Sequence, residues 1–508
     1  MTLYSLYRIC LQKIAYLLRI NYWDSWPENP FSCLPTTVVE ELVGFVTYRR
    51  RLTNEIELID TLRPLLTSGQ IKHLDVFHWN SKTMHDYIMI LLTEEFCKNL
   101  VTISIPYYPD NDFKIKSIIL TCSNLVQVHL PVFIELDIFE SCPHLRSLRF
   151  HSWREATIRY FCSEIIEFPN TIRNLEVFSV SDNGLIDPFI SCDMKNKIIS
   201  RLLANCSKLI SVGFCDSTDA FQHIDGTDDN PSCPLQLRRC VWGLGIGNVL
   251  AEFPLFKRPR LSTFESEFAT SIQKAVSSCP FVEELVIFPF NRASLQHLES
   301  LENLSLLKID FQVYHGDYVP DFISLLNKIG PRLRHLAVRG NRPIAIDTVC
   351  SICPGVISLK ISGTLTVSDP SKIGSILYPL KQLSLDSLDE ISLEFILSNC
   401  TNVAQLVIGK ANCFDDSISS KIMERGAFTK LKVVSVETCR FTEKGMLTFL
   451  ESVPSLKKIN ISVVTSFLHT RPNTIIQAWI TKTGKHVEVE DDLRKKEFFA
   501  WKLNRCIF

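Results

Sequence analysis

"IILTCSNLVQVHL" (residues 118–130) decides the fold. Leu125-x-x-Val128-x-Leu130 puts apolar residues at positions one, four and six of a short segment, and Cys122 stands three residues before the first of them. Alternation from position four onward suits a strand with one face buried, and the apolar residues ahead of the cysteine suit the end of a packed helix. One such unit is weak evidence. The same template returns, however, at Ile71, Leu100, Leu145, Leu175, Leu209, Leu237, Val282, Leu304, Leu333, Val356, Leu380, Val403, Leu431 and Leu456. From 333 onward the starts fall at 333, 356, 380, 403, 431 and 456, a nearly constant step. Apolar hexads placed by chance would not keep step, so the chain is an array of supersecondary units that share one continuous core.

The helical halves are legible as well. Residues 86–100, 195–209, 269–282 and 445–456 carry apolar side chains at i, i+3, i+4 and i+7, and each runs directly into a strand. Cys97, Cys122, Cys142, Cys206, Cys279, Cys353 and Cys400 all occupy the helix-to-strand turn. A small, half-polar thiol suits that position. These repeat cysteines therefore read as structural free thiols rather than a disulfide framework, which points to a reducing compartment, cytoplasmic or nuclear. The pattern resembles leucine-rich repeats of the cysteine-bearing subtype found in many ubiquitin-ligase receptors. That resemblance implies an α/β solenoid with a parallel sheet on its concave face.

Other readings fall away on composition and spacing. A formal net charge of −1 over 508 residues gives no global field for nucleic acid or an anionic membrane. No run of about 18 uncharged apolar residues exists to span a bilayer. "GLGIG" (243–247) lacks dinucleotide-site spacing, Cys350-x-x-Cys353 is a lone pair without histidines, and no hydrolase or P-loop motif occurs. Asn205-Cys206-Ser207 and Asn399-Cys400-Thr401 match the glycosylation pattern but sit at repeat turns. The expectation is a binding protein with no catalytic residues, no metal and no cofactor.

Ahead of the array stands "SLYRICLQKIAYLL" (5–18). Arg8, Lys13 and Arg19 interrupt it, and no small-residue cleavage site follows, so it does not read as a signal peptide. On a helix Leu6, Cys10 and Ile14 stack as i, i+4, i+8 anchors. Ser5, Leu6, Cys10, Leu11 and Ile14 resemble the BC box through which receptors of the von Hippel–Lindau type hold elongin C. Leu34, Pro35, Val38, Val39 and Leu42 resemble the cullin box that follows it. Thr37 stands where the cullin-5 variant carries a second proline, which favours cullin-2. The layout resembles cullin-2 substrate receptors of the ZYG and PRAME type, although the chain has no room for the armadillo-like array of ZYG receptors.

The resemblance implies a helical box over 1–60, repeats over 61–464 and a terminal repeat or cap over 465–508. It implies a non-catalytic receptor of an elongin B/C–cullin-2 ubiquitin ligase that binds a protein substrate on its repeats. Three alternatives stand beside it: an N-terminal helix that merely caps the first repeat, an F-box opening at Leu34-Pro35, and a non-degradative scaffold. Positions three and five of each strand should face the concave surface. Arg149, Arg239, Lys308, His335 and Lys360 are the substrate-binding candidates there, and Trp153, Tyr107, Tyr108, Phe288 and Phe290 are candidate aromatic anchors just past the strands. The basic excess predicts an acidic segment on the partner, with the loops 215–233 and 248–265 as further candidate sites.

Overall fold

A computed structural model describes residues 3–48 (less 24), 55–76, 98–105, 112–153 (less 151), 168–180, 192–213, 217–221, 235–243, 261–372 (less 313 and 315), 378–463 (less 411) and 471–489 (less 486), with 86 and 224. The chain forms two compact units, residues 1–212 and 213–508.

The first unit opens with three helices, α1 (Leu3–Arg19), α2 (Thr36–Tyr48) and α3 (Glu55–Leu66). They bury Leu11, Ala15 and Leu18 of α1, Val39, Leu42 and Val46 of α2, and Leu58, Ile59, Leu62 and Leu65 of α3. Helix α3 runs across residue 60, so the helical box and the first repeat share an element. The parallel strands β1 (His73–Asp75), β2 (Thr102–Ser104), β3 (Gln127–Leu130), β4 (Ser147–Phe150) and β5 (Val177–Val180) then pair in sequence order. Strand β6 (Ser211–Gly213) is entered through amides of Ile210 and Ser211 that both donate to the Glu176 carbonyl. Helices α4 (Asp112–Thr121) and α5 (Cys192–Asn205) return the chain between strands. Glu40 of α2 ties box to array, accepting the backbone amides of Lys72 (3.1 Å) and His73 (2.8 Å) with one carboxylate oxygen.

The second unit repeats the scheme. β7 (Arg239–Gly243), β8 (Glu284–Phe288), β9 (Leu306–Asp310) and β10 (His335–Arg339) pair in parallel. The two-residue β11 (Ile344–Ala345) lies against the far end of β12 (Ser358–Thr366), which also pairs with β10. β13 (Gln382–Ser387), β14 (Gln405–Lys410), β15 (Val433–Cys439), β16 (Lys458–Val463) and β17 (Glu488–Val489) complete the sheet. Between them run α6 (Leu261–Ser278), α7 (Val319–Ile329), α8 (Ile346–Ile352), α9 (Glu390–Asn399), α10 (Asp416–Glu424), α11 (Glu443–Ser452) and α12 (Pro472–Thr483). Helix α7 buries Phe322, Leu325, Leu326 and Ile329, the i, i+3, i+4, i+7 stripe of a helix with one wall to cover. Asp389, Asp415 and Thr442 cap three helix starts by accepting the amides of Ser392, Ile418 and Gly445. This is the leucine-rich-repeat architecture, a parallel sheet backed by returning helices.

The repeat cysteines explain themselves in this geometry. The carbonyls of Cys122, Cys142, Cys206, Cys353 and Cys400 each accept the amide three residues on, at the first strand position. Their thiols are buried, and two reach backwards: Cys206 Sγ donates to the Ile172 carbonyl at 3.2 Å and Cys142 Sγ to the Ile119 carbonyl at 3.7 Å. Alanine would fill part of that space but leave the preceding helix end without its donor. A bulkier residue would not fit. All described cysteines are free thiols. No described helix is long and apolar enough to cross a membrane, and no cluster of metal-ligand side chains occurs among the described residues.

Several expected features lie outside the described residues: most of the helix at 86–100 with Cys97, Tyr107 and Tyr108, most of the loop 215–233, residues 248–260, and the charged, aromatic segment 491–503.

Candidate functional site

Two surfaces carry candidate chemistry: the outer side of α1, and the sheet face turned away from the helices.

Successive residues of α1 turn by about 100°. Leu11, Ala15 and Leu18 therefore share the side packed on α2 and α3, and the opposite side should be polar if the helix only covers a core. It is not. Leu6 is 55% exposed, Ile9 45%, Tyr16 54% and Ile20 52%, all on the side away from the core. Cys10 is exposed and Ile14 half-buried along one edge of this strip. Lys13 is the one described charge within it, and its ammonium lies 5.1 Å from the Tyr16 ring centroid. Exposed Tyr22 and Trp26 follow in the turn after the helix. Tyr7, at the margin, donates to Glu41 of α2 (2.6 Å), and that bond to a carboxylate holds its phenol proton more tightly than usual.

Of the expected elongin-binding residues, then, Leu6, Cys10 and Ile14 lie together at the surface. Leu11 does not: it is buried against the neighbouring helices, because the residue next to Cys10 falls on the inner side of the turn. The side chain of Ser5 lies outside the described residues. The cullin-box candidates divide in the same way. Leu34, Pro35 and Val38 are accessible at the start of α2, where the Pro35 carbonyl accepts the amides of Val38 and Val39. Val39 and Leu42 are fully buried and hold α2 to its neighbours, so they are core residues. Ile9, Tyr16 and Ile20 escape a motif search, since Ile9 stands between motif positions and the other two lie beyond the last of them. An apolar count around the helix would have found them.

On the open sheet face, inter-strand register aligns the repeats into rows. Arg239, Glu284, Leu306, His335, Ser358, Gln382, Gln405, Val433, Lys458 and Glu488 form one row. Much of its charge is matched within the row. Arg239 Nε lies 3.4 Å from Glu284, and Lys458 Nζ 3.1 Å from Glu488. The Ser358 hydroxyl donates to Gln382 (2.6 Å), whose amide donates to Gln405 (2.9 Å). Arg239 therefore already faces a carboxylate, which limits its role as a substrate cation. The next row runs Val241, Val286, Lys308, Ala337, Lys360, Ser384, Val407. In the first unit Arg149 is partly exposed beside His129, whose Nδ1 lies 3.3 Å from the Ser104 hydroxyl. Trp153 is a correction: it is buried, its ring 4.9 Å from that of Phe133, and serves the core rather than a partner. Phe290 is likewise buried, while Phe288 is partly exposed.

No family model and no curated protein matches the chain. Among solved structures, the crystal structure of the Rad7 and Elc1 complex in yeast is similar at 14% identity and a TM-score of 0.42, covering 93% of this chain and 99% of that one.

Proposed function

We propose that this chain is the substrate-recognition subunit of an elongin B/C–cullin-2 ubiquitin ligase, a receptor rather than a catalyst. One observation carries the reading. Helix α1 is fixed on its inner side by Leu11, Ala15 and Leu18, yet spends Leu6, Ile9, Cys10, Tyr16 and Ile20 on solvent. Exposed contiguous apolar surface favours a partner, and Leu6, Cys10 and Ile14 stand in the BC-box pattern. A helix that only capped the first repeat would need the inner side alone. Val38 lies in the first turn of α2 and Leu34 and Pro35 just ahead of it, in the same helical box, where a cullin contact next to elongin C would fall. Against the F-box alternative, the described residues between Pro35 and β1 hold two helices, α2 and α3, and both pack with α1. The repeat array then presents the substrate.

Co-expression of the full chain with elongins B and C tests this. The expected result is a stable heterotrimer that captures cullin-2 in preference to cullin-5. Failure of elongin C to co-purify would refute it. Capture of an F-box adaptor instead would move the chain to that ligase class, and capture of neither would leave a scaffold.

A further inference from the structure

In the second unit, the residues immediately ahead of the strands form a row of their own, beside the open face. Backbone register sets it out. The amide of Ile357 donates to the Arg334 carbonyl (2.8 Å), Lys381 to Ile357 (2.8 Å), Ala404 to Lys381 (2.8 Å), Lys432 to Ala404 (2.8 Å) and Lys457 to Lys432 (2.7 Å). Neighbouring strands lie about 4.8 Å apart, so this row runs along about 24 Å of the edge where the chain enters the sheet. Arg334, Lys381, Lys432 and Lys457 are exposed. The turns that lead into β12, β13, β14, β15 and β16 (353–357, 378–382, 400–405, 428–433 and 453–458) hold lysines at 381, 430, 432, 457 and 458 and no aspartate or glutamate.

The same position elsewhere in the chain shows what this row lacks. Arg146 and Glu176 stand ahead of β4 and β5, and Arg238 and Glu283 ahead of β7 and β8. Each arginine forms an ion pair with the glutamate of the next strand, at 3.1 Å for Arg238. Twice, then, a cation at this position is met by a carboxylate one strand over. In the later repeats that neighbour is Ile357 or Ala404, and Lys432 has Lys457 beside it. The ammonium groups of Lys381, Lys432 and Lys457 have no ion pair or hydrogen bond among the described residues, whereas Lys458 is taken by Glu488 (3.1 Å) and Lys430 by the Asn402 side chain (2.5 Å). Like charges side by side on adjacent strands repel, and an anion supplied from outside would remove that repulsion.

We infer that this edge binds an extended acidic segment of a protein partner, whose carboxylates take the place that Glu176 and Glu283 hold in the earlier repeats. About seven extended residues cover the roughly 24 Å from Arg334 to Lys457. A single-stranded nucleic acid is the other linear polyanion to weigh, and it would want exposed aromatic rings against its bases. The aromatic residues of these five turns, Tyr378 and Phe428, are both buried. That the acidic segment belongs to a ubiquitylation substrate rests on the function proposed above; the binding itself does not.

Fluorescence anisotropy on the purified full chain, with no elongin present, tests this separately from the ligase reading. The probes are two labelled Gly/Ser peptides of one length, carrying glutamates or glutamines at alternate positions. The glutamate peptide should bind and the glutamine peptide should not. Lys381→Glu/Lys432→Glu/Lys457→Glu should weaken binding about tenfold or more, and the milder Lys→Gln triple about threefold. Ala404→Glu keeps every lysine and supplies, between Lys381 and Lys432, the carboxylate that Glu176 supplies to Arg146. It should weaken binding about threefold or more, while Ala404→Gln, of equal size and uncharged, should leave it unchanged. Melting unchanged from the parent shows that a variant is folded. The inference is overturned if the glutamine peptide binds equally well, if the triple variants bind normally, or if Ala404→Glu and Ala404→Gln act alike. It is also overturned if an RNA oligonucleotide displaces the glutamate peptide more readily than unlabelled peptide does. A Lys→Gln triple that melts early and still binds would overturn it as well, since the lysines would then serve the helix ends beside them.

Discussion

Leu6 separates the docking and capping roles of α1 more sharply than any other residue. With 55% of its surface open, its complete burial against a partner should contribute about 1–1.5 kcal/mol, taken from the roughly 1.5–3 kcal/mol for burying a whole Leu side chain. Truncating Leu6 and Cys10 together removes two adjacent anchors. Hot-spot truncations cost about 2 kcal/mol or more, so elongin C affinity should fall about thirtyfold or further. The folded chain should not notice, because neither side chain is in its core. Leu11→Ala should do the reverse. Leu11 is only 7% exposed, and its loss from the helical box should cost about 2–4 kcal/mol of stability through lost burial and a residual cavity. The assay is paired: elongin B/C capture by surface plasmon resonance, and thermal melting of the isolated chain. Leu6→Ala/Cys10→Ala should abolish capture and melt like the parent. If the double variant instead melts early and still captures elongin, α1 is a cap and the docking argument is wrong.

Further outcomes follow from particular contacts. N-ethylmaleimide at neutral pH should modify exposed Cys10 and Cys33 quickly and leave Cys206, Cys353 and Cys439 untouched, since burial pushes each of those three thiols up to about 12; peptide mapping after brief labelling checks this, and labelled protein should no longer capture elongin C. Glu40→Gln should loosen the helical box from β1 by weakening the charge-assisted bonds to the Lys72 and His73 amides, at a cost of about 1 kcal/mol in urea unfolding; an unchanged midpoint would mean the packed helices alone hold the box in place. Gly340→Ala should destabilise by about 1–3 kcal/mol, because an added Cβ would stand 2.0 Å from the Tyr318 hydroxyl, which donates to the Arg342 carbonyl and accepts the Arg342 amide; a normal melting curve would show that Tyr318 can move aside.

The repeat was legible because its physics is local. Strand alternation, a helix stripe such as Phe322–Ile329 and a turn cysteine all lie within about one repeat, and each is forced by burial of one face. Cys122 and Cys400 were assigned to that turn from spacing alone, and their carbonyls do close it. The motif at 5–18 was equally plain as a helix with anchors.

What the sequence left open was which way shared faces turn. Leu6 and Leu11 are equally apolar and sit five residues apart. Only the packing of α2 and α3 decides that Leu11 is core and Leu6 surface, and the same packing withdraws Val39 and Leu42 from any partner. The strand template likewise could not tell Trp153 in the core from a surface anchor, because its neighbour Phe133 belongs to another repeat. On the open face, a list of cations by template position treats Arg239 and Lys360 alike. Inter-strand register sets Arg239 beside Glu284 and gathers Lys308, His335, Arg339 and Lys360 around Ala337. Those neighbours come from repeats separated by some two dozen residues in the chain, so hydrogen-bond register in the sheet, and no local preference, brings their charges together.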